Sequence, residues 1–229
     1  MVSAIVVAAG SGRRMGREAP KQFIDLKGIP IVVHSLRALE ASPSIDQMIL
    51  VLREEDLIFA RDEILPALEF SAKIRLVSGG ATRQASVFNG IQAIESQSCI
   101  VVVHDGVRPF TRPQHIEACI AHAKAYGACV LGVPVTDTLK RVDSHKVITG
   151  TLDRVSIWHA QTPQAFRYEL ILRAHERAIQ EGYVASDDAL LVEKLGEHVG
   201  VIRGSKYNVK ITTEEDLILA EAIFSTGNY

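Results

Sequence analysis

The most constraining stretch of this chain is its start. Ala4-Ile5-Val6-Val7-Ala8-Ala9 runs into Gly10-Ser11-Gly12-Arg13-Arg14-Met15-Gly16, with Pro20-Lys21-Gln22 shortly after. Ile5, Val6 and Val7 suit a buried parallel strand, apolar on both faces. Gly10 and Gly12 let the backbone turn sharply and bring its N–H groups close to a ligand. Arg13, Arg14 and Lys21 add positive charge, so a polyphosphate is the ligand such a loop suits; a solvated βα turn is the bland alternative. Spacing rules out a P-loop and weakens a dinucleotide-binding reading. A P-loop needs G-x-x-x-x-G-K-[ST], but Met15 stands five positions after Gly10, and Gln22 follows Lys21. A dinucleotide fingerprint needs a third glycine where Met15 stands, and Pro20 interrupts any helix opening at the loop.

The rest of the chain alternates short apolar runs with helical patterns. Strands are expected at Ala4–Ala8, Gln47–Leu52, Ile74–Val77, Ile100–His104, Ala128–Val133 and Val199–Ile202. Between them, Val32, Leu36 and Leu39 share a helical face, and Glu54 to about Leu68 reads as a second helix. Thr82 opens a third helix, with Val87, Ile91 and Ile94 as its stripe, and Ile116, Ile120 and Ala123 mark a fourth. The alternation predicts an α/β fold: a Rossmann-like, mostly parallel twisted sheet with helices on both faces, and ligands at the carboxyl ends of the strands. At 229 residues the chain is most simply one domain, residues 1–229. It is interrupted at about 137–156 by a β-hairpin arm turning at Asp143-Ser144-His145, which is either solvated or packed on a partner subunit. Helices are expected from Tyr168 to about Ala178 and from Asp187 to Leu195. Thr212 with Glu215 reads as a capping box for a last helix.

Composition narrows the function classes. A net charge of −2 does not favour non-specific nucleic-acid binding. No apolar run approaches the roughly 20 residues of a membrane span. Cys99, Cys119 and Cys129 lack C-x-x-C spacing and read as core fillers in a reducing compartment. With no room for a leader before the first strand, a cytoplasmic location is expected.

Three further stretches carry chemistry. His104-Asp105-Gly106-Val107-Arg108-Pro109 ends an apolar strand on the same sheet edge as the Gly10 loop. Its single carboxylate suits Mg²⁺ carrying nucleotide phosphates, or else a local Asp105–Arg108 ion pair. Gly79-Gly80 through Arg83 to Ser86 follows another strand, as a ligand-facing turn or a generic N-capped helix start. Asp153-Arg154 and Trp158-His159-Ala160-Gln161-Thr162-Pro163-Gln164 read as polar loop. Ser186-Asp187-Asp188 reads as a helix N-cap, and Lys210 as an exposed strand lysine. No nucleophile elbow or Ser/His/Asp set is present.

Taken in order, these stretches resemble the 2-C-methyl-D-erythritol 4-phosphate cytidylyltransferases over nearly the whole chain. Pro134-Val135-Thr136-Asp137-Thr138-Leu139-Lys140 and Asn208-Val209-Lys210-Ile211-Thr212 complete the set. The resemblance implies a nucleotide-diphospho-sugar transferase type of fold. The implied reaction joins CTP and methylerythritol phosphate, with release of pyrophosphate, in the non-mevalonate isoprenoid pathway. It implies Arg14 and Lys21 as the catalytic cations, and Ala8, Ala9, Gly10 and Gly12 around the phosphates. Gly79, Gly80, Arg83 and Ser86 would read the cytidine, with Asp105 near Mg²⁺ and the ribose, and Arg108 organising that loop. Thr138 and Arg154, from the arm of a second subunit in a homodimer, would hold the sugar phosphate with Thr162, Ser186 and Lys210. Ser186 stands where threonine is common in the family, and Val107 where alanine is usual. A ribitol-5-phosphate cytidylyltransferase is the nearest alternative; a NAD-binding module is disfavoured by the missing glycine.

Overall fold

The computed structural model describes residues 1–10, 20–68, 73–95 and 100–227. The chain runs through β1 (Val2–Val7), a small pair β2 (Asp25–Leu26) and β3 (Ile29–Pro30), α1 (Ile31–Glu40), β4 (Gln47–Leu52) and the short α2 (Leu57–Phe59). It continues through β5 (Lys73–Ser78), α3 (Arg83–Gln92), β6 (Ile100–Asp105), α4 (Pro113–Tyr126) and β7 (Ala128–Pro134). After β8 (Lys140–Val142) and β9 (Ile148–Thr151) come β10 (Trp158–Arg167), α5 (Tyr168–Glu181), α6 (Asp188–Lys194), β11 (Gly200–Arg203) and α7 (Glu214–Thr226).

Seven strands form one sheet in the order β11-β7-β10-β6-β1-β4-β5. All neighbours are parallel except the two pairs made by β10. The expected α/β architecture is therefore present. The continuous apolar strands are explained by two-sided burial. In β1, Ala4 and Val6 face one way, joining Leu36 and Leu39 of α1 and Ile116 and Ile120 of α4. Ile5 faces the other way, joining Val87 and Ile91 of α3 and Ile171 of α5. A third cluster packs Leu217, Ala220 and Ile223 of α7 against Leu26, Val107 and Phe110. That contact anchors the loop that follows Asp105, the last residue of β6.

Several expectations need correction. Trp158 to Gln164 is not a loop but the first part of β10, inserted antiparallel between β6 and β7. Its Gln161 and Gln164 hide the strand because each side chain is buried on specific hydrogen-bond partners. Gln161 donates to Ser205 O at 2.9 Å, and Gln164 donates to Asp187 Oδ2 at 2.8 Å and accepts from Ala189 N at 3.2 Å. Pro163, which cannot donate to a ladder, sits inside the register shift between Ala160 and Gln164. The capping box is one residue later than expected: Thr213 accepts from Asp216 N, and Asp216 Oδ2 accepts from Thr213 N at 2.9 Å. Residues 54–68 are a succession of short 3₁₀, α and π turns rather than one helix. The β2–β3 hairpin was not anticipated; Lys27 and Gly28, both at positive φ, make its two-residue turn.

The hairpin expected in the arm is β8–β9, exposed along both strands. Asp143 Oδ1 holds its turn by accepting from His145 N and Val147 N, each at 2.9 Å. Cys119 and Cys129 are buried free thiols, as core fillers should be.

Candidate active site

The carboxyl ends of β1, β4, β5 and β6 open on one sheet edge, and backbone bonds lock the loops that leave them. Ala8 N donates to Val51 O at 2.8 Å, Gly79 N to Leu52 O at 2.6 Å and Gly106 N to Val7 O at 2.9 Å. Above them lies a cavity of about 410 Å³, lined by the Ala8–Gly10 turn, Lys21, the Gly80–Arg83 turn, Ser86, Asp105 and Lys210. A second cavity of about 230 Å³ adjoins it, lined by Thr162, Gln164, Ser186, Asp187 and Arg108. The two share Arg83, Asp105 and Lys210.

Two glycines are required by close approach. A Cβ on Gly79 would meet Ala9 Cβ at 2.6 Å and Ser86 Oγ at 2.9 Å; one on Gly80 would meet Ala85 Cβ at 2.5 Å. Ser86 Oγ donates to Thr82 O at 2.9 Å and accepts from Gly80 N at 3.1 Å, tying the helix to the turn. Thr82 caps α3 by accepting from Ala85 N at 3.0 Å. The N-cap and the cavity-lining turn are thus the same structure. Lys21 opens a 3₁₀ turn, and its side chain passes over Gly10, 3.6 Å from where a Cβ would stand. Gln22, fully buried beside it, donates to Asp56 Oδ2 at 3.4 Å.

Asp105 lies at the junction, 6% exposed. Its Oδ2 takes Lys210 Nζ at 2.9 Å and Arg108 Nε at 3.3 Å, and its Oδ1 takes Arg83 Nε at 3.4 Å. Burial opposes its charge, but Arg83, Lys210 and Arg108 outweigh burial and hold the carboxyl well below the usual range. Arg83 turns its other edge to Asp188 Oδ2 at 2.7 Å. Burial drives the His104 pKa down to about 4. A carbonyl only accepts, so His104 Nε2–H donates to Arg108 O at 3.1 Å; Nδ1 accepts from Thr162 Oγ1 at 3.1 Å. Thr162 Oγ1 in turn accepts from Asp105 N at 3.0 Å, leaving one lone pair.

The sequence-predicted residues therefore fall into four groups. Ala8, Ala9, Gly10, Lys21, Gly80, Arg83, Ser86 and Asp105 border the larger cavity, with Gly79 packed behind Ala9. Thr162, Ser186 and Arg108 border the smaller one, and Lys210, like Arg83 and Asp105, borders both. Lys210 is not an exposed strand lysine: its ammonium is paired with Asp105. Thr138 and Arg154 lie exposed at the base of the arm, outside both cavities, where Arg154 bonds Thr136 O. Gly12 and Arg14 lie outside the described residues.

Asp188 and Asn208 are more central than their sequence signals suggested. Asn208 is fully buried; it accepts from Thr111 at 2.9 Å, donates to Thr162 O at 2.9 Å, and its own carbonyl takes Arg108 at 2.7 Å. It thereby joins the loop after β6 to β10 and holds the segment that carries Lys210. A polar residue beside the alternation of Val209 and Ile211 was the available clue.

Comparison with known proteins shows the family and the fold. The family model described as IspD, 2-C-methyl-D-erythritol 4-phosphate cytidylyltransferase, matches residues 2–226. Enzymes of that name from Pelotomaculum thermopropionicum and Syntrophus aciditrophicus are 46% and 47% identical, over 97% and 96% of this chain and 93% and 94% of theirs. The crystal structure of 4-diphosphocytidyl-2C-methyl-D-erythritol synthase from Anaerococcus prevotii superposes with a TM-score of 0.86 at 34% identity, covering 98% of this chain and 96% of that one.

Proposed function

Because the chain belongs to the 2-C-methyl-D-erythritol 4-phosphate cytidylyltransferase family, we propose that its reaction runs across the two cavities that meet at Asp105. The chain is a nucleotidyltransferase that converts CTP and 2-C-methyl-D-erythritol 4-phosphate to 4-diphosphocytidyl-2-C-methyl-D-erythritol and pyrophosphate, a step of the non-mevalonate isoprenoid pathway. A phosphate oxygen of the acceptor forms the new bond to the α-phosphorus as the bond to the pyrophosphate oxygen breaks. Both phosphates enter as anions, so no protein nucleophile or base is needed. The enzyme's task is alignment and neutralisation of charge.

The larger cavity takes CTP, with the triphosphate over Gly10 beneath Lys21 and the cytosine against the Gly79–Ser86 turn, while Arg14 keeps the role of second catalytic cation that the family resemblance gives it. The smaller cavity takes the acceptor against Thr162, Ser186 and Lys210. The shared position of Asp105, Arg83 and Lys210 carries this reading, because the two substrates must meet at one atom. Arg108, held by Asn208 O, fixes Asp105 rather than reaching a substrate.

Mg²⁺ belongs with the nucleotide. Asp105 suits it in a limited way: three of its roughly four acceptor sites are used, leaving one. Among the described residues no cluster of three or more ligating side chains exists, so the ion's remaining ligands would be phosphate and water oxygens. When bound, it would supply further neutralisation of the triphosphate.

The arm supports a homodimer. Thr138 and Arg154 lie outside their own chain's cavities, and Val142, Val147 and Ile148 expose apolar surface along the hairpin. No helix among the described residues is long and apolar enough to cross a membrane. The buried free thiols Cys119 and Cys129 fit a reducing cytoplasm.

Pyrophosphate release from CTP, offered with methylerythritol phosphate or with ribitol 5-phosphate, tests this reading. Turnover is expected with the first, and Lys21→Ala should lower it by about 10²–10³. Turnover with ribitol phosphate alone, or an undiminished Lys21→Ala, would reject it.

A further inference from the structure

One buried polar residue is unused by this mechanism. His175 lies on the inward face of α5, between Ile171 and Ala178, where the neighbouring positions are apolar core. It is fully buried, and Phe88 of α3 stacks on it with ring centroids 6.0 Å apart. Its Nε2 lies 3.1 Å from Asp188 Oδ1, while its Nδ1 is buried without a partner. An ionised carboxylate only accepts, so Nε2 carries the hydrogen. An apolar residue would fill this site without stranding a ring nitrogen, so the one bond that His175 makes needs an explanation.

That bond leads directly to the cavities. Asp188 is itself buried, and its second oxygen, Oδ2, takes Arg83 Nη1 at 2.7 Å. Arg83 then reaches Asp105 with its Nε at 3.4 Å. Arg83 therefore has one short and one long partner, and the short one depends on the orientation of the Asp188 carboxylate. His175 fixes that orientation, because it holds the oxygen that Arg83 does not.

We propose that His175 is a positioning residue for nucleotide transfer: through Asp188 it sets the guanidinium of Arg83 at the junction of the two cavities. The proposal rests on the reading of the larger cavity as the CTP site. His175 touches neither cavity and acts only through Asp188 and Arg83.

Two measurements test it. In arginine side-chain NMR spectra, with the Arg83 signal identified by its loss in Arg83→Gln, the Arg83 Nε–H should exchange slowly with solvent in the wild type. It should exchange at least tenfold faster in His175→Leu and remain slow in His175→Gln, whose amide can replace the lost donor. In steady-state kinetics, His175→Leu should raise KM for CTP by about tenfold, the size expected for losing one hydrogen bond to a charged group. His175→Gln should restore most of it, and His175→Leu should add nothing in an Arg83→Gln background. Equal Arg83 exchange in the wild type and His175→Leu would overturn the proposal whatever the kinetics. So would a KM effect of the same size with Arg83 absent. If the exchange behaves as expected but CTP does not affect the Arg83 signal, the positioning stands and the nucleotide assignment of the cavity fails.

Discussion

At Asp105 a carboxylate almost closed to solvent is kept charged by three cations, and His104 beside it is kept neutral by burial. Both make stability depend on pH in the same direction, through different windows. His104 has a folded pKa of about 4 against an ordinary value of 6.5, so between those values the unfolded chain binds a proton that the folded chain refuses. Stability should fall as pH drops from 6.5 to 4. The lowered carboxyls of Asp105 and Asp188 contribute stability that is present above about pH 4 and lost as pH falls below it. Urea unfolding between pH 7 and pH 3 is expected to show both declines, and His104→Asn should flatten the upper one. A midpoint that does not move with pH would contradict the network. Of these residues, Asp105 and Arg108 were legible from the end of an apolar strand. The Asp188–Arg83 pair was not, because its members stand 105 positions apart and only the packing of α3 on α5 and α6 unites them.

Among the elements, the turn between β5 and α3 makes a specific structural demand at Gly79 and Gly80. Gly79→Ala would drive a methyl into Ala9 and against Leu52 O, 3.2 Å away. Overpacking of this kind costs about 1–3 kcal/mol. Because the displaced groups line the larger cavity, KM for CTP should rise together with a lowered melting temperature. A variant with wild-type kinetics and stability would show that the turn is not built as described. The parallel strands were readable from their length and apolar runs, since two-sided burial leaves that signature. β10 was not, because its Gln and Thr residues look like loop until their partners on β6, α6 and the Asn208 segment are known. The same cause displaced the capping box, as Thr212 and Thr213 both bond Asp216 and only the geometry shows which one caps α7.

For the whole molecule, the layered sheet brings the carboxyl ends of β1, β4, β5 and β6 to one edge, and the exposed β8–β9 arm borders neither of the two cavities there. Sedimentation at micromolar concentration should therefore give a dimer, and Val142→Lys with Ile148→Lys should shift it toward monomer with a lower turnover. A fully active monomer would remove Arg154 and Thr138 from the site. The arm was visible in the sequence as a hairpin, but its partner was not, since exposed apolar residues alone do not say what covers them. In the proposed reaction, CTP and the acceptor meet at Asp105 from two adjoining cavities. A crystal structure with CTP and Mg²⁺ bound tests it most directly. The triphosphate is expected over Gly10 within reach of Lys21, with the cytosine against Gly79–Gly80 and Ser86. A nucleotide bound away from Asp105, or with its base and triphosphate reversed, would contradict it.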